Sequence, residues 1–167
     1  MTTIKLYAPE RLKEYGGAWY LASPYSGSPL GKDEAYTMAV QATAALTKKG
    51  LIVFSPIVHS HALTEFSSPG TMGDKADDHQ FWMDIDRALF DRFDGLIVAA
   101  QPGWRTSKGV QMEIAWAQEA DMAVYTLVAL FDGARSKSML VHGLLPEDVE
   151  GVFMVQPEML DRMAEAA

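Results

Sequence analysis

The chain has 167 residues, a formal charge of −8, 49% hydrophobic and 22% charged residues, and no cysteine. That length suffices for one domain, spanning 1–167, whose core needs no disulfide or structural metal. No apolar run approaches the roughly 18 residues of a membrane span, and the acidic balance argues against a nucleic-acid polymer, whose phosphates require clustered Lys and Arg. The missing cysteines, and an N-terminus (MTTIKLYAPERLKEYGG) without the apolar stretch of a signal peptide, predict a cytoplasmic protein.

Apolar runs alternate with helical patterns along the chain. Strands are predicted at Trp19 to Ala22, Leu51 to Phe54, Leu96 to Ala100, Val124 to Leu130 and Val152 to Val155. Helices are predicted at Lys32 to Lys49, closed by Gly50 after a lysine pair, at His79 to Phe93, at Lys108 to Ala120, and in a short segment from Pro157. The stretch Ser55 to Asp78, rich in Ser, Gly, His and Asp, reads as a long irregular loop over one end of the sheet. Strand–helix alternation predicts an α/β domain of flavodoxin-like (Rossmann-like) type, with a mostly parallel five-stranded sheet and helices on both faces.

Two acids interrupt the apolar stripes of their helices. In FWMDIDRALFDRF the stripe is Trp82, Ile85, Leu89 and Phe93, and Asp86 lies inside it, while Asp84, Arg87 and Asp91 take the opposite face. In SKGVQMEIAWAQEA the stripe is Val110, Ile114 and Ala117, with Glu113 inside it. A half-buried acid without a partner costs several kcal/mol or shifts its pKa, so two of them flanking one strand point to a site. The helix before the strand GLIVAA ends its path antiparallel to it, and the helix after it starts at its C-terminal end. Both acids are therefore expected at the crevice where open α/β sheets bind ligands.

Other motifs are weaker. SPYSGSPLGK is not a P-loop, because only three residues separate Gly27 from Gly31 and Asp33 follows Lys32. It reads as a strand-to-helix turn whose Ser23, Ser26 and Ser28 can face a ligand. His59 and His61 alternate without further ligands nearby, so they read as loop hydrogen-bonding groups and no metal is expected. In QPGWRTSKG, Ser107 is a natural N-cap with Gly109 in the first turn; the pair is either a plain cap or a nest of amides that receives a phosphate or sugar oxygen.

The segments YLASPYSG, the helical Asp86 eight residues before the Asp of FDGLIV, and SKGVQMEIAWA resemble the nucleoside 2-deoxyribosyltransferase superfamily. They also resemble its hydrolytic branch, the 2-deoxynucleoside 5′-monophosphate N-glycosidases. The resemblance runs from about Trp19 to Tyr125, and FSPIVHSH and the DxxFW segment are similar to small bacterial and phage members. It implies that Glu113, in the pattern Ser107, Gly109, Glu113, is a nucleophile, that Asp86 assists the leaving base, and that Tyr20 orients Glu113. Substrate contacts are expected from Ser23, Ser107, Gly109, His59 and Trp82.

The implied reaction is hydrolysis of the N-glycosidic bond of a (deoxy)nucleoside 5′-monophosphate, without cofactor. Base exchange between nucleosides and non-catalytic nucleotide sensing are the alternatives. Ser107 stands where base-exchanging members often have Asp, and resembles the phosphate-contacting serine of the hydrolases; Ser23-Pro24 stands where the hydrolases have Gly-Ser. The expected partner is a small nucleoside or nucleotide. A homodimer or homotetramer is also expected, because four Trp and ten Met, among them Trp116, Met112 and Met122, exceed what one sheet core needs.

Overall fold

The computed structural model describes residues 4–159 and Arg162. Its elements in chain order are β1 (Leu6–Tyr7), α1 (Glu10–Lys13), β2 (Ala18–Ala22), α2 (Lys32–Lys48), β3 (Ile52–Phe54), α3 (Pro56–Glu65), a 3-10 turn (Gly73–Lys75), α4 (His79–Phe90), β4 (Gly95–Ala99), α5 (Lys108–Glu119), β5 (Ala123–Phe131), β6 (Ser136–His142) and β7 (Val152–Met154). The C-terminal helix expected from Pro157 begins at that residue, and its continuation lies outside the described residues.

One sheet contains all seven strands in the order β1-β6-β5-β4-β2-β3, with β7 also pairing β5. β4 pairs with residues 123–127 of β5, and β7 takes residues 129–131 of the same strand, so seven strands occupy six positions. The pairings β2–β3, β2–β4, β4–β5 and β5–β7 are parallel, while β5–β6 and β1–β6 are antiparallel. The mostly parallel α/β fold is thus as expected, and the count of five strands is corrected by β1 and β6. β1 is too short to leave a pattern. β6 is an antiparallel return whose apolar run, Met139 to Val141, is only three residues long and follows Ser-Lys-Ser.

β4 is buried at all five positions, as a central parallel strand must be. Alternate residues of the strands serve opposite faces of the sheet. Tyr20, Ala22, Leu96 and Val98 pack with Phe90 of α4 and with Val110, Ile114 and Ala117 of α5. Trp19, Leu21, Ile97 and Ala99 pack with Leu12 of α1 and Leu46 of α2. Helices therefore cover both faces. Adjacent β2 and β4 send their connections to opposite faces, which makes the gap beyond their C-terminal ends the switch point of the sheet.

The second correction concerns 55–78. Ser55 caps α3 by accepting from the Val58 amide at 3.3 Å, with Pro56 at the first helical position. A cap followed by proline is a helix start that the composition of the segment hid. α4 also stops earlier than expected, at Phe90; Phe93 instead packs outside it, stacked on Phe54 at 5.6 Å.

Gly95 opens β4 where no side chain fits. A Cβ there would lie 2.3 Å from the Trp19 ring and 3.0 Å from the Ala123 carbonyl. Gly95→Ala should therefore lose about 1–3 kcal/mol, as over-packed cores do. Urea denaturation of the two proteins measures it, and equal midpoints would show that Trp19 yields freely.

Candidate functional site

Glu113 is held from two sides. α5 starts at Lys108 because Ser107 caps it, its hydroxyl accepting from the Val110 amide at 3.4 Å. The stripe that follows is the one expected, with Val110, Glu113, Ile114 and Ala117 buried against the sheet. From β2, the Tyr20 hydroxyl donates to Glu113 Oε1 at 2.9 Å across 93 residues of chain. Tyr20 is itself fully buried, with Phe90 and Phe93 edge-on to its ring at 4.9 and 5.6 Å. The phenol has no freedom to turn elsewhere.

Asp86 reaches the same place from α4. The buried residues of that helix are Met83 and Phe90, and Asp86 lies between them at helical spacing, while Trp82, Ile85 and Leu89 are half-buried. The stripe is thus rotated by about one residue from the expected one, and Arg87 is drawn in as well. Its guanidinium lies 5.1 Å over the Trp116 ring. Asp86 is the eighth residue of α4 and lines the crevice.

Both carboxyls are pushed toward the protonated form. Burial raises Asp86 to about 7. Burial raises Glu113 to about 8, with the charge of Asp86 adding to the effect and the Tyr20 hydrogen bond opposing it. Burial and the two carboxylates drive Tyr20 upward, so it remains a phenol and a donor. Among the described residues no donor reaches the Asp86 carboxyl. Two coupled acids with one proton between them at neutral pH form an acid and an anion side by side.

They open into a cavity of about 230 Å³. From α4, α5 and the end of β2 it is lined by Glu113, Asp86, Ser23, Ser107 and Gly109. From α3 come Ile57, Ser60, His61 and Thr64, with Tyr25 from the β2–α2 turn and Lys32 from the start of α2. Trp82 and His79 form a wall, the Trp82 indole pinned by a 3.0 Å bond to the Ala76 carbonyl. The Ser23 hydroxyl is buried without a hydrogen-bond partner among the described residues. Gly109 lines the cavity, and a Cβ on it would meet no protein atom within 4 Å.

Of the eight residues singled out in the sequence, six line this cavity and Tyr20 stands directly behind Glu113. His59 does not line it. On α3 the two histidines sit two residues apart, on opposite sides of a 3.6-residue helix; His59 is exposed beside Phe54, and His61 is the buried one. The sequence reading missed Tyr25, Lys32, Thr64 and His79 in the lining. Ser26 lines the cavity, whereas Ser28 turns its hydroxyl to the Leu30 amide at 3.3 Å. No helix among the described residues is long and apolar enough to cross a membrane.

The chain belongs to a domain family of unknown function, DUF1937, whose profile matches residues 17–128. That span includes Tyr20, every residue lining the cavity, and the strands from β2 to most of β5. No curated protein matches the chain.

Raised carboxyl pKa values have a consequence for stability. An unfolded carboxyl titrates near ~4, so the native protein holds more protons than the unfolded chain from there up to the folded values of about 7 and about 8. Stability therefore falls as pH rises through that window. Glu113→Gln keeps the shape and an acceptor for Tyr20 but removes the charge. It should unfold within about 1 kcal/mol of wild type at pH 5 and be more stable by on the order of 4 kcal/mol at pH 8.5. Thermal unfolding at both values checks this; equal destabilisation at both would show that the carboxyl is paired and settled.

Proposed function

We propose that this DUF1937 member hydrolyses the N-glycosidic bond of a (deoxy)nucleoside 5′-monophosphate, with Glu113 as nucleophile. The observation that carries the reading is the buried pair Glu113 and Asp86 facing one cavity, with Tyr20 donating to Glu113. The resemblance to the nucleoside 2-deoxyribosyltransferase superfamily supports it through the same three residues.

Breaking this bond gathers positive charge at C1′, and an anion beneath that carbon stabilises the transition state and captures the sugar. The leaving base gathers negative charge and needs a proton. Without substrate, burial favours the proton on Glu113, the deeper acid. A sugar turning cationic above Glu113, together with the Tyr20 hydrogen bond, favours the anion there and leaves the proton to Asp86. In the first step Glu113 Oε attacks C1′, the C1′–N bond breaks, and Asp86 delivers its proton to the departing nitrogen. In the second, Asp86 takes a proton from water, whose oxygen bonds C1′ as the ester to Glu113 opens. Transfer to a second base in place of water is the runner-up.

Ser107, Gly109 and the first amides of α5 suit a 5′-phosphate, since a helix N-terminus binds anions without a basic surface. The unpartnered Ser23 hydroxyl is a further contact for the substrate. The proposal includes a homodimer or homotetramer. Met112, 41% exposed on the outer side of α5, and the half-buried Trp116 support that part.

The test is incubation with a panel of nucleosides and 5′-monophosphates of both sugars, with chromatography for released base. Release is expected from a monophosphate without any added base, with a bell-shaped pH profile centred between about 7 and about 8. Glu113→Ala should abolish it. Asp86→Asn should be nearly as damaging with poor leaving groups and milder with activated ones. Ser107→Ala should cost about ten- to a hundredfold for the monophosphate and little for a nucleoside. Turnover that survives in a folded Glu113→Ala variant, or that requires a second base, would overturn the hydrolase reading.

A further inference from the structure

The α3 side of the cavity contains an arrangement that the glycosidic chemistry leaves unused. His61 is only 4% exposed, yet it lines the cavity. One ring face is covered by Tyr36 of α2, stacked at 3.8 Å with 14° between the planes. Its Nδ1 lies 2.7 Å from the Tyr25 hydroxyl, and the Tyr25 ring meets it edge-on. Among the described residues its Nε2 has no hydrogen-bond partner. A buried imidazole fixed on one face and at one nitrogen has a single polar atom left to offer.

The direction of the Tyr25 contact decides which nitrogen carries the proton. Either the phenol donates to Nδ1 or the Nδ1–H donates to the phenol oxygen. When the phenol donates, the neutral ring carries its proton on Nε2, facing the one polar atom left without a protein partner toward a ligand. That arrangement satisfies the phenol hydrogen within the protein, since Tyr25 has no other acceptor for it among the described residues. Burial and the charges of Glu65, Asp33 and Asp77 push Tyr25 upward, so the phenol keeps its proton.

We propose that His61, locked by Tyr25 and Tyr36, is the specificity residue for the leaving group, donating from Nε2 to a ring nitrogen or carbonyl oxygen of a nucleobase. The inference rests on the glycosidase reading for its orientation. Glu113, Asp86, Ser107 and Gly109 line the cavity from α4 and α5, so a sugar phosphate held at α5 leaves the base to extend toward α3. Trp82 and the Tyr25 ring supply apolar surface along the way, as base-binding pockets require. A donor at this point also stabilises the negative charge that the base acquires as it leaves. The proton stays on Nε2 throughout, so His61 orients and stabilises while Asp86 protonates.

Free nucleobases test this apart from catalysis. Calorimetry of wild-type protein with adenine, guanine, cytosine, uracil and thymine should find binding of at least one. His61→Phe should weaken that base about tenfold or more, and Tyr25→Phe, which frees the tautomer but keeps the ring, about threefold or more. His61→Gln, whose amide can still donate, should fall between wild type and His61→Phe. His59→Ala, on the exposed side of the same helix, should bind as wild type does. ¹⁵N spectra of His61 should show the Nε2–H tautomer in wild type and a tautomer mixture in Tyr25→Phe. Absence of binding by every base, an Nδ1–H tautomer in wild type, or undiminished binding by Tyr25→Phe and His61→Phe would overturn the proposal. If Glu113→Ala retains turnover while base binding still depends on His61, the glycosidase reading fails and the base site stands.

Discussion

A carboxyl taken out of water organises the whole crevice. Glu113 is 5% exposed, and its only hydrogen-bond partner among the described residues is the Tyr20 hydroxyl at 2.9 Å. One neutral hydrogen bond offsets little of the several kcal/mol needed to bury an ionised acid, so the proton stays within reach of the pair instead of being lost to solvent at neutral pH. Asp86, half-buried and without a donor among the described residues, cannot relieve Glu113 and raises it further. The result is a strained electrostatic arrangement that persists because the surrounding sheet and helices fix it in place. Such arrangements are concentrated at functional sites.

The fold explains how three distant residues meet. β2 and β4 lie next to each other and pair in register from Trp19–Gly95 to Ala22–Val98. Tyr20 comes from the first, Asp86 from the helix that leads into the second, and Glu113 from the helix that leaves it. Each sits on an element whose other contacts are apolar and close-packed, so none of the three positions depends on a loop. The rest of the lining is built differently. It comes from α3, from the turns after β2 and before α4, and from the first turn of α4, where Tyr25, His61 and Trp82 are fixed by single hydrogen bonds. A rigid chemical end and a more variable recognition end is the usual division in open α/β sheets.

How much of this was legible in the sequence depended on periodicity. Glu113 among Val110, Ile114 and Ala117 could be read directly, because a carboxyl placed inside a clear apolar stripe is costly to bury unless its chemistry is used. Asp86 was found through a stripe set one residue from the true one; Trp82 and Ile85 are apolar enough to suggest burial but are only half-covered. The Ser107 cap and four strands of the parallel sheet were equally plain. α3 was not, since PIVHSHALTE has apolar residues on every side and no stripe, and only Ser55-Pro56 marked its start. Reading it as a loop made His59 and His61 equivalent, whereas a helix separates them completely. β6 was hidden by the shortness of its apolar run, Met139 to Val141, and β1 by its length.

The central claim is that Glu113 and Asp86 share a proton near neutral pH, and their carboxyl ¹³C resonances report on it directly. Titration of wild-type protein should show two steps at about 7 and about 8, well above the ordinary carboxyl value near ~4. In Glu113→Gln one step should vanish and the remaining one, Asp86, should stay near about 7, because burial is what raises it. Titration of both carboxyls near ~4, unchanged by the substitution, would contradict the account.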